Sequence, residues 1–225
     1  MLDTFIIGAY WKDRKQLLDN IITSTLQTLK RLSEIDEQFV NLYELGMSRK
    51  EALEHKALLS HKYIEKLYLK RVKKNDLDPN GYSKIGYRLS LWTGHKDGEA
   101  SNISFGVGKS SDKLTNVCLI QMPFEGAASD RLLHFDKIKE IITILIQKWD
   151  PEVVVLNSTE LSNKLNVMNE VGWVTYRKKV KGKVKLSNKV IHDDNFLSGH
   201  LFYLNGHNVY DYSLMDELVP ITKIV

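Results

Sequence analysis

Cysteine occurs once in these 225 residues, at Cys118, which excludes an internal disulfide and the zinc sites built from several thiolates. Long apolar runs are also missing. The longest, Ile141 to Ile146, falls far short of the ~20 residues a membrane-spanning helix requires. Residues Met1 to Gly8 place an acid, Asp3, where an export signal carries positive charge, and the apolar stretch behind it is too short for a signal core. A cytosolic protein is expected. Nor does one sign of charge dominate: 32 Lys and Arg stand against 28 Asp and Glu, leaving a net charge of +4, too small an excess to imply a nucleic-acid-binding protein by itself.

The familiar catalytic signatures are lacking too. Gly106-Val107-Gly108-Lys109-Ser110 resembles the end of a phosphate-binding loop, but Ile103 stands where that loop needs its first glycine, and no helix-forming stretch follows Ser110. The histidines have no i,i+4 spacing with an intervening glutamate, and there is no Gly-x-Ser-x-Gly turn. His192-Asp193-Asp194 is the one cluster that could pair a base with an acid or ligate a metal; a solvated polar loop between strands is the expected setting. The reading is therefore of a non-enzyme with no cofactor and no metal. Cys118, inside Asn116 to Ile120, is expected to be a buried structural thiol.

What is present is a globular composition: 43% hydrophobic residues and 27% charged, enough to bury one sizeable core. Leu17, Leu18, Ile21, Ile22, Leu26, Leu29 and Leu32 recur at helical spacing after a possible N-cap at Asp13. Ser48-Arg49-Lys50-Glu51 has capping-box spacing and opens a helix toward Leu59, and Tyr63 to Tyr68 continues helical periodicity into the basic cluster Lys70 to Lys74. After the turn Asp78-Pro79-Asn80-Gly81 the pattern becomes extended: Gly86 to Trp92, Ser101 to Val107 and Thr115 to Met122 read as strands. A long helix is expected over 131–149, ended by Asp150-Pro151, followed by short strands at Val153 to Leu156, Gly172 to Tyr176 and Leu201 to Leu204. This order does not repeat as βα units. It predicts an α+β fold with a mostly antiparallel sheet, as one domain over 1–225 with a helix-rich part (1–76) and a strand-rich part (82–205).

Two kinds of residue stand out as partner contacts. Trp11 and Trp92 border polar loops, where a large ring can anchor a partner, whereas Trp149 and Trp173 read as core. Lys178, Lys179, Lys181, Lys183 and Lys185 cluster around Gly182 in what reads as a hairpin turn.

Several pieces in order, Ala9-Tyr10-Trp11, Ser48 to Leu53, Leu89 to Gly94, Trp149-Asp150-Pro151 and Gly172 to Tyr176, resemble the immunity protein 52 family of bacterial polymorphic toxin systems. The resemblance implies an α+β antidote encoded beside a secreted toxin, often a nuclease with a restriction-endonuclease-like domain, and hence a cognate protein toxin as partner. Trp11-Lys12 departs from the Trp-Gly frequent in that family. A nucleic-acid-binding accessory using the basic clusters is the alternative, and a small enzyme built on His192, Asp193 and Asp194 is a third reading.

Overall fold

The computed structural model describes residues 3–70, 72–111, 113–166, 169–182, 185–205 and 210–224. Among them, nine strands form one antiparallel sheet: β1 (Phe5–Trp11), β2 (Tyr43–Glu44), β3 (Tyr87–Trp92), β4 (Asn102–Val107), β5 (Asn116–Gln121), β6 (Val153–Ser158), β7 (Val174–Arg177), β8 (Val190–Phe196) and β9 (Gly199–Leu204). Their spatial order is β2-β3-β4-β5-β1-β6-β7-β9-β8, so the first strand in sequence lies at the middle of the sheet. The fold is α+β, as the order of elements predicts.

The helix layer covers one face. Helix α1 (Leu18–Ile35) buries Ile21, Ile22, Thr25, Thr28, Leu29 and Leu32 along one stripe. It packs beside α3 (His61–Leu69) and α5 (Phe135–Trp149), while α2 (Arg49–Glu54), α4 (Gly126–Leu132) and α6 (Thr159–Leu165) are short. Alternation sends Phe5, Ile7, Ala9 and Trp11 of β1 beneath this layer. Polar atoms drawn into the core find partners: the Trp149 indole donates to Thr28 Oγ1 at 3.0 Å, and the Thr25 and Tyr68 hydroxyls lie 2.7 Å apart. Cys118 is buried, and burial raises its thiol pKa far above the ordinary value, so the thiolate is suppressed.

Four local expectations change. Helix α1 starts at Leu18 rather than near Asp13: Arg14 is tied down by its donations to the Trp149 and Asp150 carbonyls and by its own amide on Lys109 O, and Leu17 is the extended residue before the first turn. The helix expected over 131–149 is two, α4 and α5, since His134 takes an extended ψ of 139° between them. The Ser48 hydroxyl does accept the Glu51 amide as a cap, but α2 ends at Glu54 rather than near Leu59. Finally, the lysine-rich turn does not close a hairpin. It leads from β7 to the edge strand β8, and β9 lies between the two.

The opposite face of the sheet determines what the molecule can present. Register fixes its rows across β4, β5, β1 and β6: Gly106–Val117–Tyr10–Val153, Ser104–Leu119–Gly8–Val155 and Asn102–Gln121–Ile6–Asn157. No position in these rows carries a charge, in a chain that is 27% charged. Toward β7 this face is closed by the chain around Gly172, where a Cβ would lie 3.2 Å from the Val155 Cβ. Over β4, β5 and β1 it stays open, with Ile6 38% exposed and Tyr10, Val117 and Leu119 half-buried.

Candidate interaction surface

The residues singled out from sequence divide by location. Trp11 is in the core, 1% exposed and stacked on Trp149 at 5.6 Å, with the Arg14 guanidinium 5.9 Å from its ring. Its surface is therefore spent on packing. Trp92 ends β3 on the open face, half-exposed and tilted against Tyr43 at 6.3 Å. The two tryptophans are thus on opposite faces of the sheet, and only Trp92 keeps ring surface for a partner.

Lys178 follows β7. Its ammonium is 2.6 and 2.7 Å from the Asp150 carboxylate oxygens, and its amide donates to Glu152 O, so the start of the loop is pinned. Beyond it, Lys179, Lys181 and Lys185 are exposed, while Lys183 lies outside the described residues. Arg177, just before the loop, is buried, and burial lowers its pKa; one guanidinium nitrogen donates to Glu170 O at 2.6 Å.

His192, Asp193 and Asp194 lie within edge strand β8 rather than in a loop, and strand alternation turns them to different faces. His192 stacks on Phe202 with centroids 4.2 Å apart, and its Nε2 is 3.0 Å from His200 Nδ1. Burial, then the neighbouring His200, lowers the His192 pKa. The geometry pairs two imidazoles and does not bring the aspartates onto one substrate position. Among the described residues, no group of three or more His, Cys, Asp or Glu side chains is placed to hold a metal ion.

On the open face, sequence reasoning missed Tyr10. Its phenol lies back over Gly8, and a cavity of about 400 Å3 opens beside it, lined by Ile6, Asn157, Ser162, Asn163 and Asn166 among others. The lining is amide, hydroxyl and hydrocarbon without a charge. Burial pushes the Tyr10 pKa up to about 12, so the hydroxyl keeps its proton at neutral pH and remains both donor and acceptor. A basic rim borders the face: Arg88 stands beside Gly106 in register, and the Lys109 ammonium approaches the open side of Gly106, 3.4 Å from where a Cβ would stand. Burial and the charge of Arg88 lower the Lys109 pKa.

A second cavity, of about 590 Å3, lies by the β3–β4 connection, between Glu37, Thr93, Gly94, His95 and Arg131. Arg131 reaches across it to grip Asp36 through two hydrogen bonds of 3.0 Å, which stitches α4 to the end of α1. Gln38, buried beneath, donates to Glu99 O at 2.7 Å. These contacts brace the loop after Trp92, and the mutual pairing of the charges makes this cavity structural.

Comparison with known proteins places the chain. A search of curated proteins gives no match. Among solved structures, the Pseudomonas aeruginosa T6SS protein PA0821 is similar in fold, with a TM-score of 0.51 over 97% of this chain and 73% of that one, at 12% sequence identity. A sequence profile described as Immunity protein 52 matches residues 3–192, which include the open face, the lysine loop and most of the sheet. The chain belongs to the immunity protein 52 family.

Proposed function

We propose that this protein is the antidote to a cognate antibacterial toxin, a nuclease, and that it acts in the cytoplasm of the producing cell by stoichiometric binding rather than by chemistry. Membership of the immunity protein 52 family over residues 3–192 carries the reading. Two features support the mode of action. The half-exposed Trp92 supplies a large ring on an accessible face, and Lys179, Lys181 and Lys185 project from a loop pinned by Lys178 and Asp150. Metal-dependent nuclease centres gather carboxylates around the cation, so a basic loop is complementary to their rim and speeds encounter with it.

Occlusion needs no catalytic group on the inhibitor. It needs buried area, ~1,200–2,000 Å2 in total for a stable complex, and matching charge. The experiment is co-expression with the toxin encoded beside the gene. Rescue of growth, together with co-purification of the two proteins, supports the reading. Failure to rescue and to co-purify removes it. Binding to bare duplex DNA with a steep salt dependence, and no rescue, would favour a nucleic-acid-binding accessory instead.

A further inference from the structure

We infer that the toxin docks on the open face of the sheet, centred on Tyr10 and Leu119, and that the part of the toxin seated there is an uncharged, partly apolar surface with an acidic edge. This rests on the antidote reading and adds the surface and the chemistry of its occupant.

The sequence of the central strands does not match their burial. Strands covered on both faces read as continuous apolar runs, and strands covered on one face alternate. β3 alternates, its open side being Arg88, Ser90 and Trp92. β1 (FIIGAYW) and β5 (NVCLIQ) do not alternate, yet the helices cover only one side of them. Ile7, Ala9, Cys118 and Ile120 face the helices with essentially no exposure. Ile6, Tyr10, Val117 and Leu119 point the other way: Ile6 and Tyr10 face α6 only across the cavity of about 400 Å3, and Val117 and Leu119 stay half-exposed. The composition of the central strands is that of a doubly covered sheet, yet among the described residues no packed layer lies on the second side of β4 and β5.

The size of the face fits an interface core. Three open strands about 4.8 Å apart and six residues deep span roughly 300 Å2. A stable complex buries about 800 Å2 per partner, arranged as an apolar, charge-depleted centre within a polar rim. The rows over β4, β5 and β1 supply the centre without a charge. Trp92, Arg88 and Lys109 supply a rim on one side, and the asparagine-lined cavity beside Tyr10 supplies neutral hydrogen-bonding groups on the other.

That rim selects the occupant. Arg88, in register with Gly106, and Lys109, whose ammonium lies beside that same glycine, put two cations at one edge, so an acidic group brought there meets complementary charge. A second copy of this chain brings the same net charge of +4 and is the poorer match. The neutral cavity favours a main-chain or amide-bearing loop over a charged side chain, which would lose its hydration there without a counter-charge.

The test measures affinity for the catalytic domain of the toxin encoded beside the gene, using the full-length chain carrying Leu119→Arg, Ser104→Glu or, as a control, Lys30→Glu on the exposed side of α1. Leu119 and Ser104 are half-exposed, so circular dichroism and melting temperature should stay near wild type. The expected result is about a hundredfold weaker binding for both face variants, from an unpaired charge trapped in the contact, with the control unchanged. Wild-type affinity in both face variants would overturn the docking site while leaving the antidote reading intact. A wild-type dimer that Leu119→Arg dissociates would assign the face to self-association instead. A wild type that does not bind the toxin would remove both.

Discussion

The Tyr10 phenol lies across Gly8 on the open side of β1: a Cβ at position 8 would stand 2.3 Å from the hydroxyl oxygen and 2.6 Å from Cζ. Glycine here makes room for a ring laid along the sheet rather than upright from it. The consequence is a shallow floor whose phenol helps line a neutral cavity. Gly8→Ala should lift the ring and weaken toxin binding by about tenfold, with little loss of stability because the ring can move outward. Tyr10→Phe keeps the ring and removes the hydroxyl, and should cost a smaller amount, about three- to tenfold, the worth of one hydrogen bond. Calorimetric titration with the toxin domain checks both; unchanged affinity in each would show that Tyr10 lies outside the contact.

Trp11, adjacent in sequence, should behave in the opposite way. Its ring is stacked on Trp149 beneath the helices, so Trp11→Ala opens a cavity and should cost about 3–5 kcal/mol. Thermal or urea unfolding reads the loss. The milder Trp11→Phe should lower stability less and leave toxin affinity within twofold. A large affinity loss in a stably folded Trp11→Phe protein would contradict the core assignment.

Acid should weaken the fold through two carboxylates. Burial works against the charge of Asp36, but the Arg131 hydrogen bonds, the Gln38 amide and the charges of Arg131 and Lys137 outweigh it and hold its pKa below the ordinary 3.8. Glu44 is likewise held below 4.5: the Tyr63 and Lys70 hydrogen bonds overcome its burial. Both folded pKa values lie below the unfolded ones, so the unfolded chain binds more protons as pH falls. Their contribution is complete above about pH 5 and disappears as pH drops through the depressed values. Melting temperature should fall as pH drops below about 4.5. In Arg131→Met, which should cost about 1–2 kcal/mol at neutral pH, the slope over that window should be shallower.

Alkali acts with the opposite sign on the tyrosines. Tyr10, through burial, and Tyr63, through burial and its bond to Glu44, have pKa values pushed up to about 12 from 10.0. The unfolded chain releases these protons first. Their stabilising share is whole below pH 10 and is lost between about pH 10 and 12. Ultraviolet titration should show these phenols ionising late, and Tyr10→Phe should remove one late transition.

Much of the architecture was legible in the sequence because it depends on periodicity. The α1 stripe from Ile21 to Leu32, the strands around Leu89, Phe105 and Ile120, and the stop at Asp150 each leave a pattern a single segment can express. The pairing of β7 with β9 leaves none, since only the finished sheet shows that β9 lies between β7 and β8. Edge strand β8 was hidden by His192-Asp193-Asp194, whose polarity reads as a loop but suits the exposed edge of a sheet. The helix break at His134 was masked by the apolar spacing that continues across it. The open face had a signal in plain view: β1 and β5 are apolar at odd and even positions alike, and that excess becomes informative once the helices are known to cover a single side.

Charge reversal in the lysine loop should act mainly on encounter. Lys179, Lys181 and Lys185 are exposed, so if the loop meets an acidic toxin surface, a triple change to glutamate should slow association by about tenfold at low salt, with a smaller effect near 0.5 M salt. Stopped-flow mixing reads the rate. Equal rates at low salt would place the loop away from the toxin.

Inhibition by occupancy is read out by titrating the activity of the toxin domain against this protein. Activity should fall in a straight line and reach its floor at one equivalent, with the complex recoverable by gel filtration and active toxin released on denaturation and refolding. Full inactivation by a small fraction of an equivalent, with the toxin left covalently altered, would contradict it.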